Sequence, residues 1–300
     1  MSDTRAGLRH KIDSAGELRS VVRTMKAVAS SSIVQYERSV AALADYARTV
    51  ELGLSAAFRQ ADAGRMPAEL RAPPGLRAPP HSGATAAIVF GSDQGLVGQF
   101  NDAIADHAIH ALAGVAGRAQ VWAVGERVQA RLADKGVISS GLFAVPASVQ
   151  AISALVAQIL VATDSPGATG RAATLYLFHN RPSSGAIYTP VTERLLPLDA
   201  AWQRGLMQRP WPTHQLPEVL GAGTTTLRAL IGEFLFVCLF RACAESLASE
   251  NASRLAAMQR AEKNIDQLLD DMKTTSNRLR QSSIDEELFD VVSGFEALSQ

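Results

Sequence analysis

The sequence predicts an α fold with an α/β insert: a long antiparallel coiled coil of N- and C-terminal helices plus a small α/β domain. Three observations carry this. All thirteen prolines lie between Pro67 and Pro217, so residues 1–66 and 218–300 contain none. Proline costs a helix interior about 3 kcal/mol, so these flanks are free to form long helices. Both flanks carry a seven-residue apolar rhythm, and between them short apolar runs alternate with helical patterns.

The N-terminal element is read from its spacing. Apolar or small residues fall at Ala29, Ile33, Tyr36, Val40, Leu43, Ala47, Val50 and Leu54, steps of four and three in turn. That is a heptad seam. Upstream, Ile12, Ala15, Val22 and Met25 stay in phase, while Arg19 and Lys26 interrupt it. In the C-terminal flank the same rhythm runs Leu255, Met258, Glu262, Ile265, Leu269, Met272, Ser276 and Leu279, with Glu262 and Ser276 as polar interruptions. Residues 1–30 carry six basic and three acidic groups; residues 245–300 carry six basic and eleven acidic. Opposite signs favour pairing of the two segments, though each exposed pair is worth only about 0–1 kcal/mol.

The middle is different. Residues 62–83 are rich in Ala, Pro, Gly and Arg and read as an exposed linker. Strands are expected at Ala86–Phe90, Gln120–Val124, Thr174–His179 and Ile187–Leu196, and helices at Leu96–Val115, Glu126–Lys135 and Val149–Thr163. This alternation predicts a small, mainly parallel, Rossmann-like sheet with helices on its faces. The division is therefore 1–61 N-terminal coiled-coil helix, 62–83 linker, 84–217 α/β globular domain and 218–300 C-terminal coiled-coil helix.

Composition excludes several classes. The chain has 29 basic and 29 acidic residues, which argues against coating nucleic acid. Its longest apolar run is seven residues, Phe234 to Phe240, against the roughly 20 needed to span a membrane. Only Cys238 and Cys243 are present, and the N-terminus shows no apolar signal core. Both fit a reducing compartment rather than secretion.

Candidate sites are few. Gly91-Ser92-Asp93-Gln94-Gly95-Leu96-Val97-Gly98 follows an expected strand, where backbone N–H groups could cradle phosphate. Its spacing matches neither phosphate-binding glycine pattern and no lysine is near, so a structural turn or a subunit contact is expected. His107 and His110 share a helix face, but no further ligand clearly joins them, so no metal site is expected. Cys238 and Cys243 read as small core residues. No catalytic group and no cofactor site stands out. The C-terminal residues Ile284, Leu288, Val291, Val292, Phe295 and Leu298 form an apolar stripe beside acidic neighbours.

Read as motifs, the flanks are informative. Ser249-Glu250-Asn251-Ala252-Ser253-Arg254, Ala257-Met258 and Asn264 are followed by Asn277-Arg278-Leu279-Arg280-Gln281-Ser282-Ser283-Ile284, Glu287-Leu288 and Val292-Ser293-Gly294. Near the start stands Thr24-Met25-Lys26-Ala27-Val28-Ala29. Together with Ser92–Gly98, these resemble the γ subunit of F-type ATP synthases, in order and over nearly the whole chain. Departures are Gln94 for the usual Arg, Val97 for the common Cys, Gln99-Phe100 for Gly-Leu, and Asp285-Glu286 for Thr-Gln, which suggests a divergent γ, of an alternate F-type ATPase.

The resemblance implies a non-catalytic central-stalk rotor that couples ion flow through a membrane ring to ATP synthesis or hydrolysis. It implies α and β subunits around the coiled coil, and an ε subunit and c-ring at the globular end. It implies subunit contacts at Thr24, Met25, Lys26, Arg254, Arg280, Gln281 and Glu287, with Arg280 and Gln281 facing a β loop and Lys26 offered to acidic β groups. It implies a peripheral position at the cytoplasmic face of the bacterial inner membrane. Competing readings are an α/β enzyme that uses the loop at 91–98, and a coiled-coil adaptor with no machine around it.

Overall fold

The computed structural model describes residues 5–60, 84–115, 119–164, 172–184, 187–198, 200–215 and 223–298. The linker expectation at 62–83 lies outside them. By compactness the chain divides into two units, residues 1–30 with 254–300, and residues 31–253.

Two helices dominate, α1 (Arg5–Gln60) and α6 (Gly223–Leu298). In the first unit the seam residues, and Leu8 one step before them, turn inward. Leu8, Ala15, Ala29, Met258 and Leu269 are buried, and Ile12, Val22, Met25, Leu255, Ile265, Met272, Ser276 and Leu279 are half-buried. The direction follows from the ion pairs. Arg19 meets Asp266 and, further along α1, Lys26 meets Glu262, so numbering rises on one helix as it falls on the other. The pair is antiparallel.

The second unit is built on a five-stranded sheet of order β3-β2-β1-β4-β5. Its strands are β1 (Ala84–Phe90), β2 (Gln120–Val124), β3 (Gly141–Phe143), β4 (Ala172–Pro182) and β5 (Tyr188–Leu196). β1 pairs in parallel with β2 and β4, and β2 with β3, whereas β5 runs antiparallel to β4. Pro190 is tolerated because β5 is an edge strand. β1 is apolar from Ala86 to Phe90 because both its faces are covered. Ala86, Ile88 and Phe90 point into one core with α4 (Val149–Asp164) and residues 235–248 of α6. Ala87 and Val89 point into the other, with α2 (Phe100–Ala113) and α3 (Glu126–Asp134). Tyr36 joins the first core from α1. A third cluster ties Val50, Leu54 and Phe58 of α1 to Leu206 of α5 (Ala200–Met207) and Leu227 and Ile231 of α6.

Differences from expectation have local causes. The helix expected from Leu96 starts at Phe100, because Leu96 and Gly98 adopt φ of 63° and 58° and close a turn first. β3 has three residues, too few to show a period, and α5 is a short helix of eight residues after the cis Leu196–Pro197 bond. Neither was expected.

Candidate functional site: a filled crevice and a polar inlay

The strand order places a topological switch point between β1 and β4, and open α/β sheets hold ligands outside the carboxyl ends of such strands. Here the chain fills that position itself. Ser92 N–H donates to Asn101 Oδ1 at 3.0 Å, Asn101 Nδ2 donates to Ser92 Oγ at 2.8 Å, and Ser92 O accepts from Arg127 N–H at 2.9 Å. Asp93 accepts from the backbone N–H of Glu126 and of Val145, both at 2.9 Å. The first two backbone donors of α3, Glu126 and Arg127, are therefore engaged by this loop, and the Asp93 carboxylate sits among them. From α6, Ser249 Oγ donates to Asn180 O at 3.0 Å and Ser253 Oγ to Val97 O at 2.5 Å. The loop is a structural joint.

The remaining single residues also find structural roles. His107 Nε2 lies 2.9 Å from Thr192 Oγ1, and burial lowers its pKa. Among the described residues no group of His, Cys, Asp and Glu has metal-binding geometry. Cys238 and Cys243 are buried core residues, as expected, and burial raises both thiols, Cys238 to about 12.

Sequence reasoning missed a charge cluster on α6. Glu245 accepts from Arg181 Nε at 2.8 Å and lies 2.8 Å from His179 Nε2. Arg241 Nη2 reaches Glu193 at 3.0 Å, and Arg181 also bonds Glu193. Burial pushes the Glu245 carboxyl up, but the bonds from His179 and Arg181 outweigh it and hold its pKa below the usual range. The four-residue step from Arg241 to Glu245, at the end of an apolar run, was the available signal.

In the helix pair, the polar interruptions of the two seams meet each other. Lys26 Nζ lies 2.5 Å and Arg23 Nε 2.8 Å from the two oxygens of Glu262, and Arg19 Nε lies 2.7 Å from Asp266. The Lys26 bond, then the Arg23 bond, hold Glu262 down to about 2 from its ordinary 4.5. Because the folded pKa is depressed, this stabilisation is present above pH 4.5 and is lost as pH falls towards 2. Thermal melts followed by helix circular dichroism should show that loss between pH 5 and 2, and Glu262→Gln should reduce it.

The expected contact residues fall into two groups. Thr24 is exposed and spends its hydroxyl on Ser20 O at 3.1 Å. Met25 and Arg254 are half-buried, and Lys26 is engaged by Glu262. Arg280, Gln281 and Glu287 are exposed. So are Ile284, Leu288, Val291 and Val292, with Leu288 at 62% and Val291 at 72%. The side chains of Phe295 and Leu298 lie outside the described set.

Comparison with known proteins agrees with this architecture. A family model described as ATP synthase matches residues 4–298. The ATP synthase γ chain of Leifsonia xyli is 28% identical over 97% of this chain and 96% of its own. That of Sorangium cellulosum is 26% identical over 98% of each. Among solved structures, the fold is similar to a chain of the Euglena gracilis mitochondrial ATP synthase (OSCP/F1/c-ring, rotational state 3), with TM-score 0.60, 15% identity and coverage of 99% of this chain and 95% of that one. It is also similar to a chain of the central stalk and c-ring assembly of the Tetrahymena thermophila mitochondrial ATP synthase, with TM-score 0.54, 17% identity and coverage of 80% and 99%. With the family model matched from residue 4 to residue 298, and γ chains aligned over nearly their whole length, this protein belongs to the ATP synthase family, as a γ chain.

Proposed function

We propose that this γ chain turns inside a ring of alternating α and β subunits and so couples ion flow through a membrane ring to ATP synthesis or hydrolysis. The carrying observation is the helix pair itself. Its seam is closed and its polar inlay is internally paired, yet Arg280, Gln281, Glu287 and the apolar residues 284–292 lie open on α6. An asymmetric rod touches each β subunit differently, so each site prefers a different conformation and nucleotide affinity. Turning the rod moves those preferences around the ring, a population shift driven by torque.

In this reading residues 1–61 and 218–300 form the shaft and 84–217 the globular end on the ε subunit and c-ring. Thr24, Met25, Lys26, Arg254, Arg280, Gln281 and Glu287 are the contact residues, and Arg280 and Gln281 supply a donor fork and an amide to a β loop. Among the described residues no helix is long and apolar enough to cross a membrane. Membrane contact is therefore through partners, at the cytoplasmic face of a bacterial inner membrane, as for a γ chain of bacterial kind.

The filled crevice disfavours the enzyme reading. The test is affinity purification of the tagged full-length chain from its own cells. The chain should bring down large ATPase subunits, and by itself should show no saturable ATP binding in calorimetry at millimolar ligand. Purification as a free chain, or saturable nucleotide binding lost on Gly95→Val, would overturn the reading.

A further inference from the structure

Four polar side chains of α6 fall at steps of four residues: Arg241, Glu245, Ser249 and Ser253. That spacing lines them along one stripe of the helix. Their neighbours Leu239, Ala242, Cys243, Ala244, Leu247 and Ala248 are buried and apolar. Each polar group reaches a different part of the α/β unit. Arg241 bonds Glu193 on β5. Glu245 holds His179 and Arg181 on β4. Ser249 donates to Asn180 O, further along the sheet, and Ser253 to Val97 O in the loop after β1. Arg181 also bonds Glu193, which joins the first two rungs into one network.

We infer that this ladder is a torsional clamp, which fixes the rotational setting of α6 against the sheet so that turning force on the α/β unit is passed into the helix instead of being lost as slip. The inference rests on the rotor reading. Apolar side chains repack against shifted neighbours at modest cost, so an apolar stripe alone holds setting weakly. Hydrogen bonds and ion pairs are directional and weaken steeply when misaligned. A slip of one residue turns a helix by about 100°, enough to break every rung at once. Ser249 and Ser253 are thus positioning residues. They occupy the switch-point crevice because a helix is fastened there, where related sheets hold a ligand.

The test uses the assembled complex with its catalytic head fixed to a surface. A bead is attached to the α/β unit through Ile138→Cys, a site 77% exposed. Within this chain labelling is selective because Cys238 and Cys243 are buried. With rotation stalled, the angular fluctuation of the bead measures torsional stiffness. Ser249→Ala with Ser253→Ala should about double the angular variance, since two of four directional restraints are lost. ATP turnover should remain close to wild type. Ser246→Ala is the control. Ser246 is buried on the same helix, seven residues before Ser253, but its hydroxyl has no partner among the described residues, so its loss removes no rung. It should leave the variance unchanged. If the double variant does not assemble, Ser253→Ala alone should give a smaller broadening. Wild-type variance in the assembled ladder variant overturns the inference, and so does equal broadening by Ser246→Ala. Failure of the rotor reading would look different: the unmodified complex would hydrolyse ATP without turning the bead.

Discussion

Gly125→Ala is expected to destabilise the full-length chain by several kcal/mol. Gly125 has φ of 110°, where an L side chain is strained, at a cost of about 1–3 kcal/mol. A Cβ there would also stand 2.7 Å from the carbonyl carbon and oxygen of Ser92 and 2.8 Å from its nitrogen. Those are backbone atoms, already held by Asn101 and Arg127, so they cannot swing aside. Such crowding adds about 1–3 kcal/mol. The contrasting variant is Gly95→Ala. Gly95 has nothing within 4 Å of its added Cβ among the described residues and no positive φ. It should be neutral or gain about 0.4–1 kcal/mol from a stiffer unfolded chain. Urea unfolding of the two variants separates a joint held by geometry from a glycine loop kept open for a ligand. Equal midpoints would contradict the structural reading of this loop.

What was legible in the sequence follows from how far each signal reaches. A heptad seam is a property of one helix, so Ala29, Tyr36 and Val50 could be assigned inward from spacing alone, and they are buried. Arg19, Lys26 and Glu262 looked like interruptions. Their meaning needed the partner helix, because Lys26 and Glu262 are 236 residues apart in sequence and 2.5 Å apart in space. The β1 run showed a strand buried on both faces, but β3 pairs through three residues and has no period to detect. Asp93 was visible as part of a loop motif. That it caps α3 and anchors Val145 is a tertiary fact. Ser249 and Ser253 entered as letters of a family pattern, and their carbonyl partners at Asn180 and Val97 could not be read from it. Of the contact residues, Arg280 and Gln281 are exposed, as a surface partner requires, whereas Lys26 is shared with Glu262 inside the helix pair.

The second large effect is expected at Arg280 and Gln281. Both are exposed on α6, where substitution usually changes stability by about 0.5 kcal/mol or less. Alanine is also the best helix former, so Arg280→Ala with Gln281→Ala leaves the helix intact. The complex should assemble in near-normal amounts. If these groups engage a β loop in one rotational state, their loss removes a charge-assisted hydrogen bond of about 1.5–3 kcal/mol from that state. The state is then less favoured and the cycle slows. Arg278→Ala is the control. It is exposed on the same helix, two residues before Arg280 and turned from that side chain by about 200°.

The proposed shaft is tested most directly by ATP-driven ion pumping in membranes that carry the Arg280→Ala, Gln281→Ala complex, measured beside wild type and Arg278→Ala and normalised to assembled complex. The account predicts normal assembly, a severalfold fall in pumping for the double variant, and a mild effect for Arg278→Ala. Pumping at the wild-type rate by the assembled double variant, or equal damage from Arg278→Ala, would contradict it.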